Sequence, residues 1–178
     1  TKDKDLFLLS FHADCTPILV YCKDQKIVCA IHSGWLGTVR QIVDHTIRYL
    51  IEKENCNPKE MYCLIGPCLS KKHLEVQDDV INQVKKMNFD TSPFYQKTDE
   101  NHYLLDNKGL NKQQLLNLGV LEENIQVSSY CTNENNDLFF DNKHLYQYYS
   151  SLLFLHLNRF PSTSLSSPFL IIKLLSIV

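Results

Sequence analysis

Apolar residues come in short dense runs at the start of the chain and at helical spacing further on. Leu6 to Phe11 and Thr16 to Cys22 are apolar enough to be largely buried strands. The polar stretch Lys23-Asp24-Gln25-Lys26 predicts a turn, and Ile27 to Ile31 a third strand. The segment His32-Ser33-Gly34-Trp35-Leu36-Gly37-Thr38 breaks the pattern. After it, Val39, Ile42, Val43, Ile47, Leu50 and Ile51 recur at helical spacing. Thr38 with Gln41 makes a capping box at the start of this helix, and Asn57-Pro58 stops it.

Met61 to Ile65 reads as a strand ending at Gly66-Pro67. Val76, Val80, Ile81 and Val84 predict the buried face of a helix over 76–87, followed by a loop-like polar stretch over 88–101. Leu110 to Leu118 is a further helix with Gly119 as its C-cap, and Ile125 to Tyr130 is a strand leading to Cys131-Thr132. Strands and helices alternate without a clean βαβ period. The reading is α+β: mixed β-sheets packed with helices in a single domain.

After Asp141 there is no acidic residue, and the last stretch is rich in Ser and Leu without strand or helical period. Its apolar run, Phe169 to Leu175, is too short to span a bilayer. Residues 1–140 therefore read as the domain, and 141–178 as a divergent tail, either disordered or outside the ancestral reading frame. The chain opens on Thr1 directly upstream of a strand-like run, so sequence is expected to precede it.

Composition changes the picture little: 178 residues suit one domain with a real core, and a net charge of −2 gives no sign of a nucleic-acid or membrane partner. Seven cysteines, odd in number, with no CxxC spacing and no visible signal peptide, suggest a reducing, cytoplasmic setting. Each thiol is then a buried apolar group, a metal ligand or a nucleophile.

The chemistry centres on the first hairpin. A turn centred between Lys23 and Asp24 would set Cys15 directly opposite His32, Cβ atoms roughly 5 Å apart. A thiolate and an imidazole on neighbouring strands can supply two zinc ligands without distorting the backbone. With a third ligand and one open position, the bound water would titrate near pH 7. The alternative is an ordinary pair of packing and hydrogen-bonding residues. His12 is close enough to be an accessory group, or simply a partly exposed strand residue.

Ser33, Gly34, Gly37 and Thr38 lead into the expected helix start, where free N–H groups and the dipole favour an anion such as phosphate. Trp35 could stack on a planar ligand, or be a buried structural Trp. His73-Leu74-Glu75 matches the H-x-E of zinc base deaminases, but no P-C-x-x-C follows.

Ala13-Asp14-Cys15-Thr16-Pro17 resembles an ADCxP signature, and His32 to Thr38 resembles H[AS]GWRGT. Ile65-Gly66-Pro67-Cys68 with Glu75-Val76 resembles IGPxI…EV, Leu105-Asp106 with Asn111 resembles DL…N, and Cys131-Thr132 with Phe139-Phe140 resembles CT…FFSYR. In this order the set is similar to the multicopper polyphenol oxidase (laccase-like) family, read as purine nucleoside phosphorylases with adenosine deaminase activity. The match covers about residues 5–140.

The resemblance implies a zinc site of one Cys and two His, with Cys15 and His32 as two ligands and the other histidine upstream of the ADC block, without a counterpart here. It implies phosphorolysis of adenosine, inosine, guanosine or methylthioadenosine, and deamination of adenosine by zinc-bound hydroxide. Asp14 is the nearest acid for proton transfer, and Cys131 a further accessory residue. Two departures stand out: Leu36 replaces the arginine of GWRG, and Asp141-Asn142-Lys143 replaces the FFSYR ending. Three other readings stay open: a copper-dependent polyphenol oxidase, an inactive fragment or binding module, and a metal-free hydrolase with Cys15 as nucleophile and His32 as base. Quaternary state is not encoded in any feature of the chain.

Overall fold

The computed structural model describes residues 1–135, Leu138, Phe139 and the backbone of 151–156. Strand β1 (Phe7–His12) is followed by β2 (Thr16–Cys22) and β3 (Ile27–Ser33), two short helices α1 (Trp35–Val39) and α2 (Ile42–Glu52), and β4 (Met61–Ile65). Then come β5 (Glu75–Gln77), α3 (Asp78–Val84), β6 (Tyr95–Lys97), β7 (His102–Leu105), α4 (Asn107–Asn117), β8 (Ile125–Val127) and β9 (Ser151–His156). The fold is α+β, as the sequence suggested.

The central sheet runs β3-β2-β4-β8, antiparallel except for the parallel β4–β8 pair. β2 is buried on both faces, which explains its unbroken apolar run. On one face Ile18, Val20, Ile31 and Ile65 meet Val43 and Ile47 of α2 and Leu115 of α4. On the other, Leu19 and Val28 pack with Leu8 of β1. A smaller sheet, β5-β7-β6, closes a second cluster with Val80, Ile81 and Val84 of α3 and Leu110 of α4.

Five expectations change. The helix thought to start at Thr38 is two helices: Thr38 sits inside α1, and Gln41 between them takes a left-handed φ of 58°. The supposed capping box does not form, because neither helix has a side-chain cap and the Thr38 hydroxyl is used elsewhere. Residues 75–77 are strand and not helix, and the loop-like stretch 88–101 contains β6, whose partner β7 was not anticipated. Strands of three or four residues are too short to show a period. The strand foreseen over 125–130 stops at Val127.

Residues 151–156, inside the expected tail block, form β9 and pair antiparallel with β1. The rest of 141–178 lies outside the described residues, as does the departure after Phe139 at the family's FFSYR position. Among the described residues no helix is long and apolar enough to cross a membrane.

Candidate metal centre and active site

The hairpin pairs Thr16 with Ser33, Pro17 with His32 and Cys22 with Ile27. All four residues 23–26 form its turn, and Lys26 takes a left-handed φ of 54°. The centre therefore lies between Asp24 and Gln25, one residue later than assumed. Directly opposite His32 stands Pro17, not Cys15. Cys15 lies one residue before β2, diagonal to His32 on the same face of the ladder, where neighbours remain within reach of long side chains. The two residues therefore stand diagonal to each other across the hairpin and are not directly paired.

The backbone around Cys15 is tightly held. Asp14 takes a left-handed φ of 68°, and the Cys15 N–H donates to the Ala13 carbonyl at 2.8 Å. The Leu69 N–H donates to the Asp14 carbonyl at 3.1 Å, and the Thr132 hydroxyl to the Asp14 carboxylate at 2.6 Å. Asp14 is thus anchored from the CT segment. Across from Cys15, Gly34 leaves the sulfur its space: a Cβ there would lie 2.9 Å from Sγ. Gly34 has φ −68°, open to any residue, so closeness to the sulfur and not backbone freedom is what asks for glycine.

Burial, reinforced by the Asp14 charge, pushes the Cys15 thiol above its usual range. An unliganded thiolate is therefore disfavoured, which weakens the metal-free nucleophile reading. His32 is exposed at the end of β3. His12 is 5% exposed, which overturns the partly exposed alternative. Its ring stands edge-on to that of His32, centroids 6.0 Å apart. Burial, with the neighbouring His32, lowers its pKa to about 4, so it is neutral near pH 7. Its Nε2 is buried and has no hydrogen-bond partner among the described residues. A neutral imidazole with an unused ring nitrogen is what a metal ligand requires. The room left for the Cys15 sulfur and the free ring nitrogen of His12 are the two features here that suit metal ligands.

The residues assigned to phosphate face inward. Ser33 is buried, its hydroxyl 2.8 Å from the Thr38 hydroxyl and donating to Asn111 Oδ1 at 2.8 Å. Asn111 Nδ2 donates to Thr38 Oγ1 at 3.0 Å and to the Asn107 carbonyl at 2.7 Å. Asn107 Nδ2 donates to Thr16 Oγ1 at 2.9 Å and to the Ser33 carbonyl at 3.1 Å. Ser33 and Thr38 therefore shape the turn from below, and the Thr38 N–H is already committed to the Gly34 carbonyl. Thr38 sits inside α1 and not at a helix start, and the next helix, α2, opens only at Ile42. Gly37 lies within α1 beside the His32 carbonyl and the Ser33 hydroxyl.

Trp35 opens α1 and is 37% exposed, against the buried alternative. Leu36 lies at the surface, and one turn on, Arg40 joins it in an open groove with Gly37, His45 and Tyr49. A cation thus stands near the position where the family motif has its arginine. Asn107 escaped the sequence reading: a buried amide cannot be told from a helix-cap residue without the fold.

Cys131 is not drawn to Cys15 and His32. It bridges in parallel to Cys68, and its sulfur accepts from the Ser70 N–H at 3.3 Å. Burial raises its pKa, but hydrogen bonds from Ser70 and from the backbone of Glu134 and Asn133 outweigh that and leave the thiol below its usual value.

The family model described as multi-copper polyphenol oxidoreductase laccase matches residues 1–147. A purine nucleoside phosphorylase, YlmD of Bacillus subtilis (strain 168), is 34% identical over 143 residues, covering 80% of this chain and 51% of the relative. The purine nucleoside phosphorylase SAR1163 of Staphylococcus aureus (strain MRSA252) is 30% identical over 140 residues, covering 79% and 51%. Among solved structures, YlmD from Geobacillus stearothermophilus superposes with a TM-score of 0.79 at 29% identity, over 85% of this chain and 56% of that one. A hypothetical protein YfiH of Bacillus licheniformis gives 0.78 at 30% identity, over 80% and 54%. The chain spans about half the length of the curated relatives it matches.

Proposed function

Because the chain belongs to the multi-copper polyphenol oxidoreductase laccase family, whose matching relatives carry the name purine nucleoside phosphorylase, we propose that it serves phosphorolysis of purine nucleosides at a zinc site held by Cys15 and His32. The carrying observation is the Cys15 sulfur seated against Gly34 beside the exposed His32. The donor set of one thiol and imidazoles matches zinc better than a cluster of coppers, which needs many more histidines. A zinc ion bound there would act as a Lewis acid toward the substrate.

The reaction forms a bond from a phosphate oxygen to C1′ and breaks the C1′–N9 bond, the purine leaving with its proton restored. Cys15, one residue before β2, and His32 of β3 would present their donors from the same end of the hairpin ladder. Asn107 and Asn111 tie the turn beneath them to Thr16, Ser33 and Thr38, so the ligands keep their geometry when substrate arrives. Asp14, oriented by Thr132, is the acid placed to hold or move a proton. Arg40, in the groove beside Gly37, is the cation available to phosphate, a role that Ser33 and Thr38 cannot fill with inward hydroxyls. Deamination of adenosine belongs to the same reading: a water oxygen bonds to C6, the C6–N bond breaks, and inosine and ammonia are the products.

The test is to incubate the chain with inosine or adenosine, with and without phosphate, and to measure bound metal. Phosphate-dependent base release with stoichiometric zinc, lost on His32→Ala, is the expected result. A folded, zinc-loaded chain with no turnover of either nucleoside would refute the proposal for this chain.

A further inference from the structure

A second group of ligating side chains lies on segments that the Cys15–His32 centre does not use. His73 stands in the turn between β4 and β5, where the His73 and Leu74 N–H groups both donate to the Ser70 carbonyl. Cys131 and Glu134 come from the turn after β8, three residues apart, and the Asn135 N–H donating to the Cys131 carbonyl curls them onto one side. One imidazole nitrogen, the Cys131 sulfur and one carboxylate oxygen lie within 4.8 Å of one another.

We propose that His73, Cys131 and Glu134 bind one divalent transition-metal ion of the zinc type, separate from the ion at Cys15 and His32. Zinc–ligand bonds of about 2.0–2.3 Å give a tetrahedral edge of roughly 3.5 Å, so the three donors need contract by little more than an ångström. The pieces allow it. Cys131 is 1% exposed and fixed by the Ser70 N–H, whereas the Glu134 side chain is 45% exposed and free to adjust. His73 Nε2 already lies 2.9 Å from Glu134 Oε1, a contact in which a shared proton occupies the place between two donors.

Charge and softness agree. A thiolate, a carboxylate and a neutral imidazole together carry two negative charges for a dication. The sulfur and nitrogen select against calcium and magnesium. Without metal, Lys72 Nζ at 3.0 Å supplies a cation to the same Glu134 oxygen, but its side chain is 75% exposed and can swing away. The competing reading, an exposed ion-pair cluster, explains Lys72 and Glu134 but not a buried sulfur at its centre. Three protein donors leave one position for water. An ion here would pin the 70–74 turn to the segment carrying Thr132, and through the Thr132 hydroxyl would steady Asp14.

The test removes the first centre and looks for the second. The full chain carrying Cys15→Ser and His32→Ala is stripped of metal and titrated with cobalt(II). One equivalent should bind, with the thiolate-to-cobalt charge-transfer absorption of a tetrahedral site, and Cys131→Ser should abolish that absorption. Cys131 is buried and its replacement could disturb folding. The decisive variant is therefore His73→Ala at a partly exposed turn, expected to weaken cobalt binding at least tenfold while the far-UV spectrum stays unchanged. Absence of a sulfur charge-transfer band in the double variant, or cobalt binding by His73→Ala as tight as in its parent, would overturn the proposal. Neither result depends on nucleoside turnover, so the fate of the phosphorylase reading is separate.

Discussion

Replacing Gly34 by Ala tests whether the sulfur of Cys15 is held where the structure puts it. The new Cβ would lie 2.9 Å from Cys15 Sγ and 3.9 Å from Cys15 Cβ. The first distance falls about 0.6 Å or more short of the 3.5–4.0 Å optimum for non-bonded heavy atoms; the second is ordinary contact. The sulfur can yield only by turning about χ1, because the Cys15 backbone is tied to Ala13 and Asp14 to Leu69 and Thr132. Overpacking of this kind costs about 1–3 kcal/mol. Against it stands a gain of about 0.4–1 kcal/mol from stiffening the unfolded chain, since φ −68° suits alanine. The metal-free protein should therefore lose about 0.5–2 kcal/mol in urea unfolding. In the Cys15→Ala background the clash is gone, and the same Gly34→Ala change should be neutral or stabilising. Zinc affinity of the single variant should fall at least tenfold, because a metal site tolerates only about 0.2 Å of ligand error. Equal destabilisation in both backgrounds, additive within about 0.5 kcal/mol, would show that Gly34 does not make room for the sulfur.

Three further outcomes follow from the same geometry. Asn111→Ala removes a fully buried amide that serves Ser33, Thr38 and Asn107. A loss of about 2–3 kcal/mol in urea unfolding is expected, and a loss under 0.5 kcal/mol would mean the network is not what holds the turn. His12 has its pKa lowered from 6.5 to about 4. The unfolded chain then binds the extra proton between those values, so His12's contribution is complete above pH 6.5 and is lost as pH falls toward 4. The unfolding free energy of the metal-free protein, from urea titrations, should drop across that window by about 2–3 kcal/mol, and His12→Gln should flatten the dependence. Finally, burial pushes the Cys63 thiol up to about 12. Cys63 should stay unmodified by a thiol reagent at pH 8 until the protein unfolds, as mass mapping of labelled peptides would reveal.

The motifs carried the family and the α+β class because they are local: a strand ending in ADC, a glycine turn after a histidine, and runs of apolar residues long enough to show their period. β2, β3, β4 and α2 were legible for that reason, since each buries several side chains on a repeating face. Short strands such as β5 and β6 were not, because three residues have no period and their pairing is settled by β7. The hairpin register also escaped. It depends on a four-residue turn that places Lys26 in a left-handed conformation, and one residue of turn moves every cross-strand partner by two. Ser33 and Thr38 looked like an anion seat because hydroxyls beside glycines in sequence usually point outward. Only packing of α4 against α1, which brings Asn107 and Asn111 under the turn, directs them inward. What the amino-acid order alone determined was which side chains could do chemistry. Which of them meet is a matter of contacts some 50 to 120 residues apart, such as Thr16 with Cys68 and Asp14 with Thr132, and those exist only once the core has closed.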